Sequence, residues 1–253
     1  MSSTTDNLWI RRFRPSPGAA ERLVCFPHAG GSASFYVPVA GALSPRVDVA
    51  AIQYPGRQDR RLEPGPASVA ELADQVAGAL TAWDDDRPLT FFGHSMGALV
   101  AFEVARRMER TGSGPVRLFA SGRRAPSRTR SEHVHTLDDD GVIAELRALA
   151  GTDAQVLQDE ELLRMVLPAI RSDYRAVETY RCDPGAAVSC PVTVLTGDAD
   201  PRTSLPEAHA WSEHTTAGSD VRVFTGGHFF LSERPAEVLA VLDEHFAAPA
   251  RQG

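Results

Sequence analysis

Residues 89–105 read LTFFGHSMGALVAFEVA. Leu89-Thr90-Phe91-Phe92 is an apolar, β-like run, Gly93-His94-Ser95-Met96-Gly97 is a turn, and Ala98 opens a helix-like run of Ala, Leu and Val. Strand, G-x-S-x-G and helix in immediate succession form the pattern of a nucleophile elbow. The chemistry explains the residue types. Ser95 has to stand clear of the sheet on a sharp turn. Glycine at 93 and 97 removes the Cβ atoms that would collide where strand and helix close on one another. The helix that follows aims its first N–H groups at the place where an anion would form. A Gly-rich turn of a nucleotide-binding fold has a similar outline, so the assignment depends on whether the rest of the chain supplies a base, an acid and a second amide donor.

The chain has 253 residues, 43% hydrophobic and 23% charged, enough for a sizeable core in one or two domains. Its net charge of −7 argues against a general nucleic-acid binder. Cys25, Cys182 and Cys190 form no C-x-x-C pair and leave an odd thiol, which argues against a disulfide framework or a zinc knuckle. The first residues, MSSTTDN, lack the apolar core of a signal peptide. No apolar run approaches the roughly 20 residues of a membrane span. The expectation is a cytoplasmic enzyme without a bound metal.

Strand and helix patterns alternate on both sides of the elbow. Residues 1–7 read as disordered and Trp9–Phe13 as an edge strand. Arg22–Phe26 and Val47–Tyr54 read as strands, with Ser32–Leu43 as a helix between them. Ser68-Val69-Ala70-Glu71 is a capping box, and Val69, Leu72, Val76, Leu80 and Trp83 recur at three- and four-residue intervals, which is one helical face. Val116–Ser121 is the next strand. From 122 to 187 the β-like runs lapse and helical patterns take over, beginning at the acidic Asp138-Asp139-Asp140. Strand Val192–Thr196, a helix near Pro206–Glu213, strand Val221–Thr225 and helix Pro235–Phe246 complete the chain. This order predicts one α/β domain over 1–253. Its sheet is mostly parallel and doubly wound, with a helical lid inserted at about 122–187.

A serine hydroxyl needs a base to take its proton, and the base needs an acid to hold its tautomer. In this arrangement the chain order is Ser, acid, His. His228 in Thr225-Gly226-Gly227-His228 follows a strand, where open α/β sheets place their sites. His133, His135, His209, His214 and His245 lack that context and are expected at the surface, and His94 is expected to point away from Ser95. The loop Gly197-Asp198-Ala199-Asp200 supplies the acid. Asp200, three residues after the glycine, is preferred, with Asp198 as the alternative and as a loop-capping residue. Met96 and the loop Pro27-His28-Ala29-Gly30-Gly31, through Ala29, supply the two oxyanion N–H groups.

PHAGGSAS at 27–34, YPGRQDR at 54–60, GHSMGAL at 93–99, TGDAD at 196–200 and GGHFFL at 226–231 together resemble the type II, or editing, thioesterases of polyketide and non-ribosomal peptide synthesis. The resemblance runs from Trp9 to about Phe246. It implies an α/β-hydrolase fold and cofactor-free hydrolysis of acyl groups from the phosphopantetheine thiol of acyl or peptidyl carrier proteins. It assigns Ser95, Asp200 and His228 to the triad, and Ala29 and Met96 to the oxyanion hole. Medium-chain acyl-carrier-protein thioesterases share much of the pattern, and a carboxylesterase or lipase would share the triad.

Arg123, Arg124, Arg128 and Arg130 crowd the loop that leads into the insertion. The favoured reading is a solvated loop, against a docking face for an acidic carrier protein or for the pantetheine phosphate. Arg57 is open between a structural role and a place at the pocket mouth. Phe229 and Phe230 are expected to pack the His228 loop rather than to contact ligand. Cys25 is expected to be buried and inert.

Overall fold

The computed structural model describes residues 8–83, 85–150 and 160–247. The expectation for residues 1–7 lies outside them. The strands are β1 (Ile10–Arg11), β2 (Glu21–Phe26), β3 (Val47–Ile52), β4 (Leu89–His94), β5 (Arg117–Ser121), β6 (Val192–Gly197) and β7 (Ser219–Phe224). The helices are α1 (Val37–Leu43), α2 (Val69–Thr81), α3 (Met96–Glu109), α4 (Asp139–Ala150), α5 (Glu160–Glu178), α6 (Leu205–His209), α7 (Phe230–Glu233) and α8 (Pro235–Ala247). The strands form one sheet in the order β1-β3-β2-β4-β5-β6-β7, parallel throughout except for the edge pair β1–β3. This is the α/β-hydrolase architecture expected from the sequence.

The central strand β4 is buried at every position, which is why it reads as a run and not as an alternation. Its successive side chains still divide between two cores. Phe91 joins Val24, Phe26, Val76 and Leu99 on the face covered by α2 and α3. Phe92 joins Leu23, Cys25, Leu43 and Leu242 on the face covered by α1 and α8. The strand order reverses between β2 and β4, and a crevice opens at the carboxyl ends of strands at such a switch point. The loop of Ala29 and the turn of Ser95 leave the sheet there.

Local differences from the sequence reading have simple causes. Ser32–Leu43 is not one helix: a 3₁₀ turn at Ala33–Tyr36 precedes α1. Pro38, in the first turn of α1, has no N–H to continue a ladder from upstream. The Ser68 hydroxyl accepts from Glu71 N–H at 3.1 Å as expected, but Glu71 reaches back to the N–H of Ala67, one residue before the cap. The helix near Pro206–Glu213 divides into α6 and a 3₁₀ turn at Ala210–His214. Between β5 and β6 the chain forms no strand among the described residues, and α4 and α5 share a separate apolar cluster that includes Val142, Ile143, Leu163, Leu167 and Ile170. No described helix is long and apolar enough to cross a membrane.

The β4–α3 turn is the tightest element of the fold. A Cβ on Gly97 would lie 2.0 Å from the carbonyl oxygen of Phe26, and one on Gly93 would lie 2.2 Å from that of Gly97. Both obstructions are backbone, so the strand and helix would have to part. Gly97→Ala is expected to destabilise the fold by about 3 kcal/mol or more, at the upper end of overpacking costs, read as the midpoint shift in urea unfolding.

Candidate active site

Ser95 occupies the turn with φ +55° and ψ −116°, a region sparsely populated by any residue with a side chain. The strain is held by its neighbours. Ser95 N–H donates to the carbonyl of Ser121 at 2.8 Å, and its own carbonyl accepts from Ala98 N–H at 3.1 Å. The half-buried hydroxyl of Ser95 meets His228 Nε2 at 3.0 Å. On the other side of that ring, Nδ1 lies 3.0 Å from both carboxyl oxygens of Asp200. Carboxylate oxygens accept, so Nδ1 carries the hydrogen and Nε2 is left to accept from Ser95. His228 and Asp200 are buried.

The structure therefore brings Ser95, His228 and Asp200 into one hydrogen-bonded row, from the ends of β4, β7 and β6. Asp198 is outside it. Its carboxyl oxygen accepts from Gly226 N–H at 3.0 Å, while Ala199 N–H donates to the Gly226 carbonyl at 3.0 Å. Asp198 thus ties the acid loop to the histidine loop. Ala29 and Met96 flank Ser95 in the same cavity. Met96 opens α3, where the first amides have no acceptor within the helix.

The cavity over Ser95 has a volume of about 690 Å³, and one wall comes from the insertion, including Leu146, Leu163, Val166, Ile170 and Tyr174. The opposite wall carries His28, Phe35 and Phe229. Phe229 is a correction to the expected packing role. It supports the His228 ring edge-on at 5.2 Å and also faces the cavity, whereas Phe230 is fully buried in the core.

His94 packs under His228 with ring centres 5.1 Å apart, and its Nδ1 bonds the Ser121 hydroxyl at 3.0 Å. It points away from Ser95 but stays beside the site. Burial holds the His94 imidazole well below the ordinary histidine range, aided by the nearby charge of His228. Burial similarly lowers His28 to about 3, with His228 and Arg57 adding to the effect. Two neutral rings thus surround the one that bridges Ser95 and Asp200.

Several surface expectations are corrected. His214 is buried, with Nδ1 donating to the Ala186 carbonyl at 2.8 Å and Nε2 accepting from Ser127 N–H at 3.2 Å. It pins the loop after β5 to residues near 186. His245 bonds the Thr90 hydroxyl at 2.9 Å, and burial lowers it to about 4. The arginine loop is solvated only in part, with Arg130 exposed, Arg128 half-buried and all three of Arg124, Arg128 and Arg130 paired with acids. Arg124 is buried against Glu132 at 2.5 Å, Arg130 pairs with Glu207 at 2.5 Å, and Arg128 pairs with Glu213. Arg123 lines the cavity, and burial beside Arg124 lowers it to about 9. Cys25 is buried as expected, which pushes its thiol up.

Asp173 escaped the sequence reading. It is fully buried on α5, paired with the buried Arg57 at 2.8 Å. Burial pushes its carboxyl up, against the pull of Arg57. A signal was available: Asp173 continues the spacing Leu163, Leu167, Ile170 on the apolar side of the helix, where an acid needs a partner.

A family described as a thioesterase domain matches residues 21–246. The chain is 54% identical to a probable cadicidin biosynthesis thioesterase of Streptomyces griseus, over 96% of this chain and 68% of that one. It is 52% identical to thioesterase PikA5 of Streptomyces venezuelae, over 94% and 85%. The structure of the type II thioesterase BorB from the borrelidin biosynthetic cluster superposes with a TM-score of 0.89 at 53% identity, covering 94% of this chain and 98% of that chain. With this fold, and with a serine, a histidine and an acid in one row beneath a cavity, the chain belongs to the thioesterase family and is of the type II kind.

The buried neutral histidines have a consequence for stability. In the unfolded chain each takes up a proton as the pH falls below about 6.5, whereas in the folded chain His245 waits until about 4 and His28 until about 3. Their contribution is complete above pH 6.5 and is lost on acidification. The melting temperature is expected to fall between pH 6.5 and 4.5, before most carboxylates titrate, and His245→Gln should make that fall shallower.

Proposed function

We propose that the chain is a serine thioesterase that hydrolyses acyl groups from the phosphopantetheine thiol of acyl or peptidyl carrier proteins. It would clear stalled or aberrant units during polyketide or non-ribosomal peptide synthesis. The observation that carries this reading is the 3.0 Å row from Ser95 through His228 to Asp200, opening on a cavity of about 690 Å³ lined by Ala29 and Met96. The volume is within the ~300–1,000 Å³ of small-molecule sites.

The mechanism follows from the hydrogen bonds. His228 Nε2 takes the Ser95 proton as Oγ attacks the thioester carbonyl. Asp200 stabilises the imidazolium and holds its tautomer. The N–H groups of Ala29 and Met96 receive the oxyanion. The C–S bond breaks, and His228 gives its proton to the departing thiolate. Water, deprotonated by the same nitrogen, then attacks the acyl-serine ester, and its breakdown returns the proton to Ser95 Oγ and frees the acid. The neutral His28 and His94 leave His228 as the group placed to relay both protons. The cavity's aliphatic wall from α4 and α5 suits an acyl chain, and the relatives' names, with their biosynthetic clusters, support a carrier-bound substrate.

The test is a panel of carrier-protein thioesters from acetyl to medium chain, with oxygen esters of equal acyl length beside them. Ser95→Ala is expected to lower kcat by about 10³-fold or more, and Asp200→Asn by about 10²–10⁴-fold, with melting temperatures near wild type. Undiminished hydrolysis by Ser95→Ala would refute the serine mechanism. A preference for the oxygen esters would replace the thioesterase reading with a carboxylesterase.

A further inference from the structure

The loop that carries Ala29 is attached to the insertion by a buried ion pair. His28-Ala29-Gly30-Gly31 is a tight turn in which Gly31 N–H donates to the His28 carbonyl at 2.9 Å and Gly30 has φ +74°. A glycine with positive φ at the third position is the signature of a type II turn. The N–H of Gly30 donates to Asp173 Oδ2 at 2.8 Å. The same carboxylate accepts two bonds from Arg57 Nη2, at 2.8 and 2.9 Å, and Arg57 Nη1 donates to the Gly31 carbonyl at 2.9 Å. Two successive residues of the turn are therefore gripped, one by the acid and one by its arginine.

The grip continues into the sheet. Gln53 Nε2 donates to the Arg57 carbonyl at 3.2 Å, and Gln53 Oε1 accepts from Ala33 N–H at 2.9 Å, on the far side of the loop. Arg57, Asp173 and Gln53 are all buried. Packing points the same way independently of charge. A Cβ on Gly30 would lie 2.8 Å from Ile170 Cγ1, so α5 presses directly on the turn. Two residues further along α5, the Ser172 hydroxyl donates to the Pro66 carbonyl at 2.8 Å, and a Cβ on Gly65 would lie 2.7 Å from Ser172 Cβ. Residues 170–173 of the insertion are thus the strip of α5 fitted against the loops of the sheet.

A desolvated ion pair is a costly way to hold two elements together, since a well-packed apolar pair is often as stable. What it supplies here is direction. The planar Arg57 fork, with Nη2 on the carboxylate and Nη1 on the Gly31 carbonyl, fixes an orientation that apolar contact does not. An oxyanion donor must sit within about half an ångström of its productive place. We propose that Asp173 and Arg57 are positioning residues that hold the Ala29 N–H in line with Ser95, so that α5 of the insertion is part of the oxyanion apparatus as well as a wall of the cavity. The proposal rests on the reading of Ala29 as an oxyanion donor.

Asp173→Asn removes the charge that orients Arg57 while nearly preserving shape. Its test is steady-state hydrolysis of a butyryl pantetheine thioester by the full chain. Rates are counted per active site titrated with a fluorophosphonate, and thermal melts and inhibition by a butyryl trifluoromethyl ketone are measured in parallel. The ketone adds Ser95 Oγ to form a tetrahedral oxyanion, so its affinity reports on the oxyanion donors. Asp173→Asn is expected to lower kcat per active site by about 10²-fold, comparable to loss of one oxyanion donor, with KM changed less than about threefold. The inhibition constant of the ketone should rise by a similar factor. Ser172→Ala, which removes an α5 contact away from the turn, should lower the melting temperature without changing kcat per site. Should Asp173→Asn fail to fold, Arg57→Lys carries the test, because it keeps the opposite charge and loses the fork; a kcat per site reduced about tenfold with unchanged KM supports the proposal. Wild-type kcat per site and ketone affinity in whichever of these two variants folds would overturn it, leaving the pair a purely structural one. A wild-type chain inert toward every thioester would instead defeat the reading of Ala29 on which it rests.

Discussion

Backbone touches backbone where β4 gives way to α3, and the geometry of the molecule follows from that contact. With no Cβ at Gly93 or Gly97, the first turn of α3 settles against the Phe26 carbonyl at the end of β2. This closeness forces the Ser95 backbone to φ +55° and lifts its side chain off the sheet. It also brings the start of the loop after β2 against the first turn of α3, so that Ala29 and Met96 line one cavity. Ser95 is strained because a strand and a helix are packed at a distance that leaves it no ordinary conformation.

The elements that depend on this contact were the ones legible in sequence. Parallel strands buried on both faces give continuous apolar runs, and β2 to β6 were found within a residue or two of their ends, as were α2, α3 and α8. The row of Ser95, His228 and Asp200 was readable because each sits at a fixed offset from a strand end, and the same offset placed Ala29 and Met96 in the cavity lining. What failed to show depended on partners distant in sequence. Nothing local to His214 reveals that Ala186 and Ser127 will close over it. Arg124, Arg128 and Arg130 look like a solvated cationic loop until Glu132, Glu213 and Glu207 are brought to them. Arg57 stayed ambiguous for the same reason, since its partner lies 116 residues on. The break between Tyr36 and α1 was a different kind of miss. Pro38 announced it, and the apolar pattern on either side masked the announcement.

The electrostatics of the site are as much about silence as about charge. Three imidazoles lie within a few ångströms of one another, and two are kept neutral by burial. A cation on either neighbour would oppose the imidazolium that must form on His228, so their neutrality removes a repulsion at the moment of proton transfer. Arg123, whose charge burial and Arg124 work against, lines the same cavity.

The insertion has an apolar cluster of its own, and none of Val142, Ile143, Leu163, Leu167 and Ile170 belongs to either cluster of the sheet, while Ala176 and Val177 further along α5 do. One helix therefore spans two apolar clusters, with residues 170–173 between them fitted against the loops of the sheet. Substitutions at Leu163 and Val166, which line the cavity, can remodel the hollow above the serine, whereas Ile170 and Asp173 meet the Gly30 turn and cannot change without moving it. Such a division lets a lineage explore new cargo by mutation in the first two turns of the helix, at little risk to the strip that grips the turn below.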